Sequence, residues 1–234
     1  MALRRGGGIY RHVWLVKRAQ THLTSWGTFV APRVHAASIA ADDSKGSLQG
    51  AATLNITAVV SNMAAAERSV SAIFELLDSA GAAVIIFKSS IATVTGGGQV
   101  TLRAAADVPA VDLWTLHSPA LYTVRTRLLS SSTKTVLDEE NTTVGFRSLK
   151  YTADTGFHLN EENFKVRGFC DHNNFASVGM AVPDRVNLYR ANAARSVGGN
   201  GRRMSHNPGA PSMFDIYDRV GMVCSKIIYP PALS

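Results

Sequence analysis

The chain has 234 residues, of which 46% are hydrophobic and 18% are charged. These values are typical of a folded protein with one large domain or two smaller ones, and they exclude a chain that is disordered throughout. The formal net charge is +7, but the basic residues form neither a block nor a zinc-finger spacing, so nucleic acid is not an expected partner. The chain has no run of about 18 apolar residues, so we do not expect it to enter a membrane.

The amino-terminal segment, residues 1–20, has basic residues scattered along it and no uninterrupted apolar stretch. It therefore does not have the pattern of a secretory signal peptide. The cytoplasm is the default compartment, and the sequence leaves the actual compartment open.

Between about Gly27 and Tyr151, apolar residues alternate with small or polar residues in several short runs separated by turn sequences. The clearest runs are Ala52–Ser61, Ser69–Leu77, Val100–Ala106 and Tyr122–Leu129. Alternation with a period of two, rich in Val, Ile and Thr, indicates strands that are buried on one face. Six or seven such strands without a convincing helix predict an immunoglobulin-like antiparallel β-sandwich over residues 21–150.

Beyond Phe157 the periodicity changes, and strands are expected to alternate with helices. Three short strands are predicted, at Phe164–Phe169, at Gly201–Met204 and from Met222 onward. This order predicts a parallel sheet with right-handed crossovers. The middle strand, Gly-Arg-Arg-Met, fits the prediction poorly, because parallel strands are buried on both faces and Arg202 would need a partner.

Two helices are predicted between these strands. The first begins at Pro183 and ends at the glycines 198 and 199, and the second follows Pro211 and ends at Gly221. The inward face of the first is predicted to consist of Val186, Tyr189, Ala193 and Val197. The inward face of the second is predicted to consist of Met213 or Phe214, Ile216, Tyr217 and Val220.

Several separated stretches carry a resemblance to one enzyme family. They are Gly8–Leu15, Leu113–Trp114, Ser118–Val124, Val144–Arg147, Val166–Asn174 and Ser205–Pro208. In this order they resemble glycoside hydrolase family 2, and its β-galactosidases in particular. The resemblance implies a multidomain β plus α/β chain, an immunoglobulin-like antiparallel β-sandwich followed by an incomplete (β/α)8 barrel. Residues 1–20 would be the tail of a sugar-binding jelly-roll domain, residues 21–150 the sandwich, and residues 151–234 the start of the catalytic TIM barrel.

The family resemblance implies a retaining glycosidase that acts on terminal β-linked sugars, most often β-galactosides. This chemistry uses one carboxylic acid as proton donor and a second carboxylate as nucleophile. In the family both are glutamates on later barrel strands, so we assign no catalytic residue and expect no activity from this chain alone. A β-galactoside is the expected partner if the barrel is completed, and an oligomer or a complementing chain is a further expectation.

The resemblance also implies a set of sugar-contacting residues at the carboxyl ends of the barrel strands, where TIM-barrel active sites form. The candidates are His172, His206, Arg203, Asn207, Asp171 and Asn174. His172 and His206, just past the first two strands, would bond sugar hydroxyls, and Arg203 would support the same rim. The alternative for either histidine is a structural cap in a polar loop.

The remaining features indicate no cofactor and no metal. Cys170 and Cys224 have neither disulfide-framework nor metal-site spacing, and both are interpreted as buried thiols. A second hypothesis for the chain, from another functional class, is a non-catalytic binding or scaffold module in which the sandwich is the stable part.

Overall fold

The computed structural model describes residues 8–205 and 209–226. Two compact units are present: residues 16–163 form one, and residues 8–15, 164–205 and 209–226 form the other. The domain boundaries inferred from the sequence, after residues 20 and 150, stay predictions. No helix in the described ranges has the length and apolar character that crossing a membrane requires.

Nine strands of the first unit form two antiparallel sheets. They are β1 (Thr21–Val34), β2 (Ala40–Asp42), β3 (Ser47–Asn62), β4 (Arg68–Leu77), β5 (Ala83–Lys88), β6 (Ala92–Val94), β7 (Gln99–Asp112), β8 (Tyr122–Ser130) and β9 (Val136–Val144). In one sheet β3 pairs with β1, β2 and β7, and in the other β4 pairs with β5, β6 and β8, while β8 also pairs with β9. The predicted sandwich is confirmed, and the four clearest runs lie within β3, β4, β7 and β8.

The sandwich core consists of alternate residues of these strands. The buried residues of β3 and β4 include Leu54, Ile56, Ala58, Val60, Val70, Ala72, Phe74 and Leu76. Each of these residues is one position away from a neighbour on the outer face, because side chains alternate along a strand. The removal of this apolar surface from water stabilises the packing of the two sheets against each other.

Segments that carry the family resemblance meet at one end of the sandwich. The hydroxyl of Tyr122 accepts a 2.8 Å hydrogen bond from the backbone N–H of Asp112. The ring of Tyr122 also packs edge-on against Phe146, with 5.2 Å between the ring centroids. The guanidinium of Arg147 lies 4.8 Å from the ring centroid of the buried Trp114. Residues scattered between positions 112 and 147 therefore form a single packed cluster.

Three short antiparallel strands complete the first unit: β10 (Leu149–Thr152), β11 (Gly156–Leu159) and β12 (Glu162–Asn163). The turn after β11 holds Asn160, which is buried and has a left-handed backbone with φ of 50°. Its side-chain amide donates to the carbonyl of Trp114 at 3.0 Å, and its side-chain oxygen accepts from the N–H of Ser148 at 2.9 Å. These bonds attach the three-stranded sheet to the sandwich.

The second unit has a parallel sheet with helices between its strands. The elements are β13 (Gly168–Asp171), α1 (Asp184–Ser196), β14 (Gly201–Met204), α2 (Pro211–Val220) and β15 (Val223–Lys226). The order β13–β14–β15 and the parallel pairing confirm the predicted alternation of strands and helices and the predicted parallel sheet. The first strand begins at Gly168 and not at Phe164 as predicted. A Cβ atom on Gly168 would lie 2.2 Å from the carbonyl oxygen of Gly201, so the close approach of these strands requires glycine here.

The predicted inward face is confirmed for α2 but wrong for α1. In α2, Met213, Ile216 and Tyr217 are buried, and Gly221 ends the helix in the left-handed conformation. The buried residues of α1 are Asn187, Ala191 and Ala194. The apolar side chains predicted to face inward include Tyr189 and Val197, which are 65% and 73% exposed. The inward side of this helix therefore consists of small residues, and Arg190 of the same helix forms an ion pair with Asp171.

We expect that Tyr122→Phe lowers the free energy of unfolding of the sandwich by about 1–2 kcal/mol, because the N–H of Asp112 loses its acceptor. The measurement is chemical denaturation followed by the fluorescence of the buried Trp114. The matched control is Tyr151→Phe, because Tyr151 is 77% exposed. Equal midpoints for the two variants would show that the Tyr122 hydroxyl contributes nothing.

Candidate functional site

The candidate site lies at the carboxyl ends of β13 and β14. In a parallel sheet these ends share one edge, which is the edge where (β/α)8 enzymes place their active sites. Asp171 is the last residue of β13, and its carbonyl accepts a 2.8 Å hydrogen bond from the backbone N–H of Ser205, just after β14. The two strand ends are thus joined directly, and His172 follows at once.

The loop after β13 is held by Arg190, which lies on α1. One guanidinium nitrogen of Arg190 donates to the carbonyl of His172 at 3.3 Å, and another donates to the carbonyl of Asn174 at 3.2 Å. The guanidinium also lies 5.6 Å from the ring centroid of Phe175. His172 is half-buried and Asn174 is exposed. These contacts fix the backbone of the loop that carries two of the predicted site residues.

A buried Arg202 needs an acidic partner, and the structure shows that this partner is Asp171. The carboxylate of Asp171 forms ion pairs with Arg202 of β14 and Arg190 of α1. The three side chains are 16%, 7% and 9% exposed, respectively. A buried guanidinium is unfavourable without a counter-charge, so Asp171 explains how a Gly-Arg-Arg-Met strand can lie within a parallel sheet.

Cys170, Arg203 and Ser205 lie on the face of the sheet opposite the helices. Cys170 and Arg203 are register partners, and a guanidinium nitrogen of Arg203 donates to the sulfur of Cys170 at 2.7 Å. The hydroxyl of Ser205 is also hydrogen-bonded to this sulfur. The pKa of the Cys170 thiol is lowered, chiefly by the Ser205 hydrogen bond; desolvation opposes this effect, and the smaller contributions of Arg203 add to it. In a closed barrel this face points to the interior.

The prediction that both cysteines are buried thiols is wrong for Cys170 and is confirmed only in part for Cys224. Cys170 is exposed, whereas Cys224 is half-buried. Burial raises the pKa of the Cys224 thiol to about 11. Side chains alternate along β13, so Asp171 faces the helices and Cys170 lies on the other face, where the helices do not cover it.

The structure describes four of the six candidate sugar contacts. Asp171, His172 and Asn174 lie together at the end of β13, and Arg203 lies on the opposite sheet face from the Asp171 carboxylate. His206 and Asn207 fall outside the described residues. The sugar-binding roles of all six stay predictions. Arg190 was not among the predicted site residues, because the arginine-rich strand indicated an acidic partner, which is Asp171, and not a further arginine.

The comparisons with known families match both units of the chain. Residues 33–147 match Glycosyl hydrolases family 2, and residues 151–226 match the TIM barrel domain of Glycosyl hydrolases family 2. The chain belongs to glycosyl hydrolase family 2. The expected family, sandwich and barrel-type unit are therefore confirmed.

Individual relatives agree with this assignment. The β-galactosidase BoGH2A of Bacteroides ovatus is 31% identical over 93% of this chain and 24% of its own length. A family 2 structure from Bacteroides cellulosilyticus has a TM-score of 0.82 at 29% identity over 94% of this chain and 28% of that chain. A β-glucuronidase from Bacteroides uniformis has a TM-score of 0.81 at 28% identity over 93% of this chain and 25% of that chain. The chain spans about a quarter of the length of these relatives.

We expect Cys170 to be alkylated by iodoacetamide at least about tenfold faster than Cys224 near neutral pH, because the thiolate is the nucleophile. Cys170 is exposed with a lowered pKa, whereas Cys224 is half-buried with a pKa of about 11. Peptide mass spectrometry over time measures both rates. Ser205→Ala should slow the labelling of Cys170 and leave that of Cys224 unchanged. Equal rates for the two thiols would contradict this account.

We expect Asp171→Asn to destabilise the second unit by about 3–5 kcal/mol, because two buried guanidinium groups lose their common counter-charge. Hydrogen exchange at the β14 amides measures the loss. The matched control is Asp215→Asn on the exposed side of α2, which should change stability by less than about 0.5 kcal/mol. Unchanged protection of β14 in the Asp171 variant would rule out the proposed charge balance.

Proposed function

We propose that this chain is the sandwich and barrel-opening part of a β-galactosidase-type hydrolase, and that turnover needs further barrel strands. The observation that carries the proposal is the parallel β13–β14–β15 sheet with His172 at its carboxyl edge, in a chain of family 2. A (β/α)8 barrel closes with eight strands, and the described part of this chain has three.

Asp171 and Asp184 are not suited to act as the catalytic pair. Retaining hydrolysis needs a proton donor and a free carboxylate nucleophile about 5–5.5 Å apart. The carboxylate of Asp171 is held by two guanidinium groups. Asp184 accepts a 2.7 Å bond from the hydroxyl of Ser212, and this bond, together with a smaller effect of His12, lowers its pKa. A lowered pKa disfavours the protonated form that a proton donor requires.

The proposed role of His172 is to bond a sugar hydroxyl. An imidazole can donate or accept a directed hydrogen bond near neutral pH. In the proposal His172 and His206 bind from adjacent strand ends, with Arg203, Asn207, Asp171 and Asn174 around them. The substrate we propose is a terminal β-galactoside, supported by the motif resemblance and the β-galactosidase relative. The β-glucuronidases among the relatives make a β-glucuronide the competing substrate.

The test compares the chain alone with a chimaera in which the later barrel strands of the Bacteroides ovatus relative follow the matched region. We expect turnover of a chromogenic nitrophenyl β-galactoside by the chimaera and none by the chain alone. In the chimaera, His172→Ala should lower kcat/KM by about 100-fold, because it removes one hydrogen bond to the transition state.

Three results would change the proposal. Turnover by the chain alone, clearly above that of a His172→Ala, His206→Ala double variant, would refute the need for further strands. Faster hydrolysis of a β-glucuronide would replace the substrate. Limited proteolysis addresses the non-catalytic alternative: a protected core ending near residue 150 favours a sandwich module, whereas uniform resistance indicates that the barrel strands pack stably.

A further inference from the structure

Arg190 makes more contacts with the loop after β13 than charge balance requires. Its side chain is 9% exposed, and it donates to the carbonyls of both His172 and Asn174 while lying over the ring of Phe175. The same guanidinium pairs with Asp171 at the start of the loop. One side chain of α1 therefore contacts the last residue of β13 and three residues of the loop that follows it.

The charge count shows that Arg190 is not needed to neutralise Asp171. Arg202 already pairs with this carboxylate, so a second guanidinium leaves one net positive charge among the three side chains. Tyr217 does not supply a second anion, since burial raises its pKa to about 12 against the smaller effects of Arg202 and Arg190. Burial lowers the pKa of the Arg190 guanidinium itself. The bonds to the two loop carbonyls compensate for the burial of this charge.

We propose that Arg190 is a positioning residue that holds the His172 loop in the geometry needed for sugar binding. This proposal rests on the proposed glycosidase function and deepens it. Arg190 does not touch the sugar and acts through His172. The guanidinium suits this role because its planar fork presents several donors in fixed directions, whereas a lysine ammonium cannot reach two carbonyls, a carboxylate and a ring together.

The loss of Arg190 should affect the geometry of the loop and leave the stability of the sheet unchanged. Without Arg190 the pair between Asp171 and Arg202 remains, so β13 and β14 keep their charge balance. The loop, in contrast, loses both carbonyl bonds. Displacement of a catalytic group by about 1 Å can lower a rate by about 100-fold, so a loose His172 loop should impair turnover in an otherwise folded protein.

The first experiment uses the full chain and carbonyl 13C NMR. In Arg190→Ala and Arg190→Lys we expect the His172 and Asn174 carbonyl signals to move upfield, with amide exchange across residues 172–175 at least about tenfold faster. The β14 amides should keep their protection. The matched control is Arg185→Ala, an exposed arginine of the same helix, which should leave all these signals unchanged. Unmoved carbonyl signals, or loss of β14 protection in both Arg190 variants, would overturn the proposal.

The second experiment is a double-mutant cycle on kcat/KM in the chimaera. Arg190→Ala should lower kcat/KM about tenfold when His172 is present and less than about twofold in a His172→Ala background, because Arg190 acts through that histidine. Equal losses in both backgrounds would overturn the proposal. If the unsubstituted chimaera has no activity, the proposed function fails, and the carbonyl signals still decide whether Arg190 holds the loop.

Discussion

The ion pair between Asp171 and Arg202 is the interaction on which the sheet of the second unit depends. A parallel strand is buried on both faces, and the central strand of this sheet contains a guanidinium that is 7% exposed. Burying such a charge is costly unless a counter-charge is supplied within contact distance. Asp171, at the end of the neighbouring strand, supplies it. The same carboxylate also pairs with Arg190, which lies on the inward side of α1 together with Ala191 and Ala194.

The two faces of this sheet carry different sets of side chains. The face toward the helices combines the ion pairs with an apolar cluster that includes Met204, Ile216 and Tyr217. The opposite face presents Cys170, Arg203 and Ser205, which bond to one another. Strand alternation keeps the two sets apart. The polar groups of the second face are therefore separate from the packing that stabilises the first.

The sandwich obtains its stability in a more conventional way. Alternating residues of long strands such as β3 and β4 fill a continuous apolar core. Hydrogen bonds from the backbone N–H of Asp112 to the Tyr122 hydroxyl and from the Asn160 side chain to the Trp114 carbonyl add to this core. Such bonds contribute little individually but are costly to lose when the group is buried.

The sequence by itself determined the elements whose signals are local. Period-two alternation located β3 and β4, Pro211 and Gly221 marked the ends of α2, and the motifs around Trp114 and Arg147 indicated the family. These features depend on neighbouring residues along the chain, which set dihedral preferences and the buried face.

Only the tertiary structure decided the inward face of α1, the partner of Arg202 and the exposure of Cys170. Apolar spacing favoured Tyr189 and Val197 as the buried side of α1, yet Arg190 and the alanines face inward instead. The physical reason is that an ion pair between residues distant in the sequence outweighs the weak amphipathic pattern of one helix. Such a pairing requires two strands and a helix to be in place, and a local pattern cannot encode which distant carboxylate will meet a buried arginine.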